Sequence, residues 1–189
     1  MTRTLPPPVE AVICPFTILV DGREKAPYRF QGIRADASQQ HRPIVVTTEW
    51  IHLATGDYTI SGLEHLVCVE RKSLTDLYST LGQHRDRFER EHQRMAAIVQ
   101  QGGSCCVVVE ADWETAIHLP PSHSKLSPRS VLGTAISWGD IKYHVPWYFM
   151  PDRRFAEIYT FRVLEKFWKH YQQSQKELKS NGETISSNS

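Results

Sequence analysis

The sequence lacks the features that would place it in a membrane or in the secretory pathway. No run of apolar residues approaches the roughly 18 that a membrane-spanning helix needs. At the N-terminus, Pro6-Pro7-Pro8 stands where a signal peptide would have its apolar core. We therefore expect an intracellular protein with no membrane partner, cytoplasmic if the source is prokaryotic or viral and nuclear if it is eukaryotic.

Neither sign of charge is in large excess, because 22 Lys and Arg residues face 21 Asp and Glu residues. A polyanion such as DNA would therefore have to bind a local basic patch, since the molecule as a whole offers no strong field. The four cysteines form no C-x-x-C pair, which argues against the common zinc and redox motifs. We expect all four to be reduced core residues.

The residues that are present fit one α/β domain with an ordinary core. Hydrophobic residues make up 40% of the 189 positions and charged residues 23%, which is typical of globular proteins. We expect residues 1–16 to be an N-terminal extension, residues 17–173 to form the domain, and residues 174–189 to be a polar, disordered tail.

Two kinds of periodicity predict the secondary structure. The continuous apolar run 105–109 is typical of a strand that is covered on both faces, so the sheet should lie between layers of helices. Short β-branched and apolar runs predict strands at 17–21, 44–48, 57–61, 66–70, 105–109 and 145–150. Helical spacing predicts helices that begin at Ser73 and Ser127, a helix over 85–100, and a long helix from Asp152 to about Gln173.

A hairpin between residues 57 and 70 brings two acidic residues together. If Ser61 and Leu66 close the loop, Asp57 lies directly across from Glu70, and their side chains share a face of the sheet. Lys72 points to the same face, because side chains alternate along a strand, whereas Arg71 points away.

Opposed carboxylates repel each other unless a positive charge sits between them, so this pattern favours a divalent cation. An oxygen-rich site suits Mg²⁺ or Mn²⁺. With Asp57 and Glu70 as ligands and Lys72 placed to orient or help deprotonate a water molecule, such a site can hydrolyse a phosphodiester bond.

The acid-x-Lys triplet alone is a weak signal, since the sequence contains three. Those at Asp140 and Glu177 fall in helical patterns, where residues i and i+2 do not share a face. Only Glu70-Arg71-Lys72 combines a predicted strand with an opposing carboxylate. The alternative interpretation is a solvated hairpin end that carries an ordinary ion pair.

Several ordered motifs now resemble a known family. Gly56-Asp57-Tyr58, followed by Val69-Glu70-Arg71-Lys72-Ser73 and Asp76, resembles the signature of the XPF-type (xeroderma pigmentosum group F) structure-specific endonucleases. Asp21-Gly22-Arg23-Glu24 is similar to that family's first motif. The stretch from Arg87 to Met95 resembles its arginine-bearing helix, although Glu91 stands where members commonly have Gln.

The resemblance implies a restriction-endonuclease-like fold: a mixed β-sheet flanked by helices on both faces. It implies a Mg²⁺- or Mn²⁺-dependent endodeoxyribonuclease with Asp57 and Glu70 as metal ligands and Lys72 in catalysis. It also implies that Asp21 is a further metal ligand; from the residues alone, the default role of Asp21 is to cap the Gly22 turn. It implies that Glu24 is an auxiliary acid; the alternative is that Glu24 forms a surface pair with Lys25.

Basic and capping residues around these motifs have roles of their own. Arg23 either pairs with the acidic cluster or contacts a phosphate. Ser73 and Asp76 have the spacing of a capping box, so we assign them to the start of a helix. A stripe of arginines is either a solvated helix face or a track for the DNA backbone. It consists of Arg87, Arg90 and Arg94.

The sequence thus predicts a DNA endonuclease that acts on branched or non-B-form DNA. Two alternatives stay open: a non-catalytic DNA-binding or scaffolding partner of a nuclease complex, and a restriction-type or junction-resolving nuclease of the same fold. The larger family members append helix-hairpin-helix or helicase modules, which suggests a separate DNA-binding or helicase partner here. Aromatic residues over 145–171 are expected in the core, with some of that surface open to a homodimer contact.

Overall fold

Six strands form one mixed β-sheet in this computed structural model, which describes residues 10–186 and the side chains of residues 10–180. The strands are β1 Val12–Asp21, β2 Ile44–Ile51, β3 Tyr58–Ile60, β4 Val67–Lys72, β5 Ser104–Val109 and β6 Trp147–Phe149. Their order across the sheet is β2-β1-β3-β4-β5-β6. Strand β3 runs antiparallel to both neighbours, and every other pair is parallel.

Helices cover both faces of this sheet, as expected. They are α1 Leu74–Gln83, α2 Arg85–Gln100, α3 Trp113–His118, α4 Pro128–Ile136 and α5 Arg153–Ser186. Helix α5 packs on one face through Phe161 and Leu164. Helices α1, α2 and α4 pack on the other through Leu77, Met95 and Val131. None of the described helices is long and apolar enough to cross a membrane.

Strand β5 is buried on both sides, which explains its continuous apolar sequence. Cys105, Val107 and Val109 belong to the core beneath α1 and α2, whereas Cys106 and Val108 belong to the core beneath α5. All four cysteines are free and buried, as predicted.

The first strand is longer than predicted. It begins at Val12, so residues 12–16 belong to the sheet and not to an extension; residues 1–9 lie outside the described residues. Pro15 interrupts the run, and the sheet accommodates it where the register with β2 shifts between Ile13 and Thr17. Because proline disfavours strands, residue propensities alone did not predict this part of β1.

The last helix is also longer than predicted. Helix α5 continues to Ser186, so a helix end near Gln173 is wrong, and residues 174–186 are helical, not a disordered tail. The first of the added turns contain Gln175, Lys176, Glu177 and Lys179, which favour helix without needing a buried face, and Gln173 donates a 3.0 Å hydrogen bond to Glu177 one turn on. Residues 187–189 lie outside the described residues.

Three short helical elements were not predicted individually. Helix α3 begins after Asp112, whose side chain accepts a 2.7 Å hydrogen bond from the Thr115 N–H. A π-helical turn over Ser137–Lys142 follows α4 and contains Asp140 and Lys142, in line with the helical pattern expected for that triplet. A 3₁₀ turn lies at Ala37–Gln39.

His92 joins α2 to β6 inside the second core. Its side chain is fully buried, Trp147 donates the indole N–H to Nε2 at 2.9 Å, and Nδ1 lies 2.9 Å from the Phe88 carbonyl. Because Nε2 must accept, the proton sits on Nδ1 and the ring is neutral. Burial lowers the pKa of His92 to about 4.

We predict that this histidine makes the fold acid-sensitive. The unfolded chain binds a proton near pH 6.5, whereas the folded chain excludes it until about pH 4, so stability is lost as pH falls through that window. Between pH 7 and pH 5 the free energy of unfolding should drop by about 2 kcal/mol through this group. Urea titrations at both pH values measure the drop, and His92→Gln should abolish it; an equal drop in the variant would contradict the assignment.

Candidate active site

Three of the acidic residues predicted from the sequence lie together where neighbouring strands of the sheet begin or end. Because β3 is antiparallel to both β1 and β4, the carboxyl ends of β1 and β4 meet the start of β3 at the same edge. Asp21 is the last residue of β1, and Asp57 immediately precedes β3. Glu70 and Lys72 lie among the last three residues of β4. The topology therefore brings together residues that are up to 51 positions apart in the chain.

The β3–β4 hairpin has the predicted register. Tyr58 pairs with Val69. The Asp57 N–H also donates to the Val69 carbonyl, at 2.9 Å, so Asp57 and Tyr58 both oppose Val69, as in a β-bulge. Asp57 Oδ2 accepts from the Arg71 N–H at 2.7 Å, and the carboxylate lies near Glu70.

The Lys72 side chain lies between Glu70 on its own strand and Phe88 on helix α2. Its Nζ is 2.6 Å from Glu70 Oε1 and 4.7 Å from the centre of the Phe88 ring on α2. The ammonium is therefore fixed by an ion pair on one side and an aromatic face on the other.

The electrostatics of the cluster are those of a site short of positive charge. Burial and the nearby Glu70 raise the pKa of Asp57 well above its usual value, although Lys72 and the Arg71 N–H oppose this. Burial alone would lower the pKa of Lys72, but Glu70 and Asp57 raise it, so Lys72 stays protonated. Two carboxylates with one ammonium leave room for a further cation.

Asp21 lies at this edge but is engaged by its neighbour. Arg23 Nε lies 2.9 and 3.1 Å from the two carboxylate oxygens, and the same guanidinium donates to the Leu53 carbonyl at 2.8 Å. Burial acts to raise the pKa of Asp21, but hydrogen bonds from Arg23 outweigh it and lower the pKa. The Arg23 side chain is 64% exposed, so its outer side is open to a ligand.

Glu24 belongs to a separate buried network on the other face of β4. Arg71 donates to Glu110 at 2.8 and 2.7 Å and to Glu24 at 3.2 Å. Arg153 also binds Glu110, at 2.6 Å, and both guanidinium groups lie against the Tyr28 ring. Arg71 thus points away from Lys72, as the strand alternation predicts, and Glu24 is neither a surface partner of Lys25 nor directed at Lys72.

Glu91 is a site residue that sequence reasoning did not select. Its Oε1 accepts a 2.9 Å hydrogen bond from the Gly56 N–H, and its Oε2 pairs with Arg94. Gly56 has φ +71°, and a Cβ there would lie 3.0 Å from Cys68 Cβ. The only available signal was the family motif, in which this position is commonly Gln, a residue that can accept the same hydrogen bond.

The capping and basic residues have distinct surroundings. Ser73 Oγ accepts from the Asp76 N–H at 3.1 Å and donates to Asp76 Oδ2 at 2.7 Å, which forms the expected cap of α1. On α2 the side chains of Arg87 and Arg90 are exposed, while Arg94 is held by Glu91.

The donor set fits Mg²⁺ or Mn²⁺ with few protein ligands. Among the described residues, no group of three or more His, Cys, Asp or Glu side chains is arranged to hold a metal ion. Magnesium, however, is usually held by one or two carboxylates together with water and substrate phosphates. Asp57 and Glu70 meet that requirement, whereas Asp21 would first have to give up a hydrogen bond to Arg23.

A comparison with known protein families found one matching family model. The family model described as the ERCC4 domain matches residues 20–160. The chain belongs to the ERCC4-domain family. This domain is the XPF-type nuclease domain, which confirms both the resemblance and the restriction-endonuclease-like fold. Members of the family are structure-specific endonucleases that act on DNA. No curated protein matches the chain.

We predict that Glu91 fixes the backbone of the ERCC4-domain residues Gly56 and Asp57. Glu91→Ala removes the acceptor, so the Gly56 amide should lose protection from hydrogen exchange and the fold should lose about 1 kcal/mol. Glu91→Gln retains an acceptor oxygen and should restore the protection. Native-state hydrogen exchange measures both effects, and equal protection in the wild type and Glu91→Ala would contradict the assigned role.

Proposed function

We propose that this chain is a Mg²⁺- or Mn²⁺-dependent DNA endonuclease that hydrolyses phosphodiester bonds in branched or otherwise non-B-form DNA. The proposal rests on one observation: the buried carboxylates of Asp57 and Glu70 lie close together at one end of the β3–β4 hairpin, with the Lys72 ammonium 2.6 Å from Glu70. Membership of the ERCC4-domain family supports DNA as the substrate.

Each side chain has a separate task in this proposal. Asp57 and Glu70 would hold the metal ion, with Asp21 as a further ligand once Arg23 turns toward a phosphate. When bound, the ion supplies a polarised phosphate and a water molecule of lowered pKa. Lys72 would hydrogen-bond the attacking water or a phosphate oxygen and stabilise the negative charge that develops there.

Glu24 supports the site indirectly in this proposal. Its carboxylate accepts from Arg71, which in turn holds Glu110, so the three residues fix the back of β4. We propose this positioning role for the auxiliary acid that the resemblance implied.

We predict that cleavage depends on Glu70 and Lys72. Glu70→Gln removes a metal ligand and Lys72→Ala removes the ammonium, and each should slow cleavage of a labelled fork in Mg²⁺ by about 100-fold or more. Lys179→Ala is the matched control, because Lys179 belongs to an acid-x-Lys triplet on α5 and is exposed. Full activity in Glu70→Gln or Lys72→Ala would reject the assigned site.

We predict that the same cluster binds metal without DNA. Calorimetric titration with MnCl₂ should show one site in the wild type and a loss of binding in Glu70→Gln. Binding should weaken as pH falls, because the raised pKa of Asp57 means that the metal must displace a proton. A non-catalytic scaffold has no reason to bind Mn²⁺ at this hairpin, so absence of binding would favour that alternative.

The DNA structure that is cut separates the remaining alternatives. A restriction-type enzyme would cut linear duplex as well as flaps, and a junction-resolving enzyme would prefer four-way junctions. We expect flaps and forks to be the better substrates, and cleavage of a labelled panel distinguishes the three outcomes.

We predict that α2 contacts the DNA backbone through its exposed arginines. Arg87→Ala combined with Arg90→Ala should reduce the slope of log K against log salt by about two units if both residues contact phosphates. Arg94 is left intact because it also holds Glu91. The control is Lys176→Ala with Lys179→Ala on α5, and fluorescence anisotropy in EDTA measures binding; an unchanged slope would make these arginines a solvated face.

Because the net charge is only +1, a separate DNA-binding or helicase partner could add affinity in the cell.

A further inference from the structure

A stacked aromatic pair lies where β5 and β6 end, outside the candidate active site. Trp113 is the first residue of α3, and its indole stacks on the ring of Phe149, the last residue of β6. The ring centres are 3.7 Å apart and the ring planes differ by 22°. Trp113 is nevertheless 38% exposed. Because Phe149 covers one face of the indole, the exposed surface lies on the opposite face and the outer edge.

The strand register places this pair in line with Lys72. Lys72 pairs with Val109 of β5, and Val109 pairs with Phe149 of β6. Residues that pair across neighbouring strands share a face of the sheet, so Lys72 and Phe149 both point to the side of α1 and α2. Two strand spacings separate their backbones, which is about 10 Å. At about 3.4 Å per nucleotide, this distance corresponds to about three stacked nucleotides.

Helix α3 holds Trp113 in a fixed position relative to Lys72. Ala116 of α3 is fully buried, and its carbonyl accepts a 2.6 Å hydrogen bond from Tyr78 Oη on α1. Helix α1 begins only two residues after Lys72. The indole is therefore positioned before a ligand arrives, which lowers the entropic cost of binding.

The other exposed aromatic residues of the described chain lie on the opposite side of the sheet. Trp50 pairs with Val20 and shares its face, which is the face that α5 covers. Tyr148 contacts Tyr159 of α5, with ring centres 4.9 Å apart, and Phe155 belongs to α5 itself. Within the described residues, Trp113 is thus the exposed aromatic side chain on the same face as Lys72.

The surroundings of the indole favour a nucleobase over a phosphate. Asp112 and Glu114 flank Trp113 in the chain, so a phosphate placed directly on the ring would be repelled. A base carries no charge and offers a flat π-face, and stacking on an aromatic side chain accepts any of the four bases. Inside a duplex, the neighbouring pairs cover both faces of each base. Only an unpaired base therefore has a face free along the strand.

We propose that Trp113 stacks on an unpaired base of the DNA, within about three nucleotides of the phosphate that lies at Lys72. Phe149 supports the ring from beneath. The stack would add affinity for branched DNA that continuous duplex cannot gain. The inference deepens the proposed function and rests on it, because DNA must lie along this end of the sheet for the ring to reach a base.

The first test measures binding without cleavage, by fluorescence anisotropy in EDTA. The probes are a labelled fork with two single-stranded arms and a blunt duplex of the same length. Trp113→Leu keeps an apolar cover over Phe149 but loses the π-face, so it should weaken binding of the fork by about 10-fold and leave binding of the duplex unchanged. Trp113→Phe retains an aromatic face and should bind the fork within about threefold of the wild type. Tyr148→Ala is the matched control, since Tyr148 is 36% exposed on the opposite face of β6, and it should bind both probes as the wild type does.

The second test locates the stacked base. The fluorescent base 2-aminopurine is placed at successive positions of one single-stranded arm of the fork. Stacking quenches its fluorescence, so the wild type should quench it at one position and Trp113→Leu should not.

The outcomes separate this inference from the proposed function. Equal binding of the fork by the wild type and Trp113→Leu, or an equal loss on fork and duplex, would overturn the stacking role. Failure of the proposed function has a different result: the wild type would bind the fork through Trp113 in EDTA and leave it uncut when Mg²⁺ is added.

Discussion

Repulsion between Asp57 and Glu70 is the constraint around which this edge of the sheet is organised. The register of the β3–β4 hairpin forces the two carboxylates together, and burial makes their charge costly. The protein answers with one ammonium, 2.6 Å from Glu70, and with a backbone N–H aimed at Asp57. A compact divalent cation would complete the compensation, and this is the physical basis of the metal dependence that we propose.

The pair can be held under this repulsion because both strands are fixed from outside the cluster. Arg71 joins the back of β4 to Glu110 at the end of β5, and Glu91 on α2 holds the backbone at Gly56. The two contacts come from two elements outside the hairpin, the end of β5 and helix α2. Removal of one carboxylate would therefore relieve repulsion without releasing the strands, so activity and stability should respond differently to changes here.

Local patterns predicted the centre of the site but not its support. The hairpin register and the Ser73 cap depend on residues within about 14 positions of one another, and both were correct. The contact between Glu91 and Gly56 spans 35 positions and a helix–sheet packing that no periodicity reveals. The start of β1 was not predicted because proline disfavours strands, whereas the structure accommodates Pro15 at an irregular register. The end of α5 was not predicted because a polar helix lacks an apolar stripe.

The triplet Glu70-Arg71-Lys72 shows why two adjacent cations are chemically different. Alternation along β4 places Lys72 beside Glu70 and Asp57, where a compact ammonium can share the site with a metal ion. Arg71 lies on the buried face, where its planar guanidinium binds Glu110 through two nitrogens and also reaches Glu24. Lysine at position 71 could not span both carboxylates, and arginine at position 72 would place a larger group between Glu70 and Phe88. The order of the two cations thus follows from the pleat of a single strand.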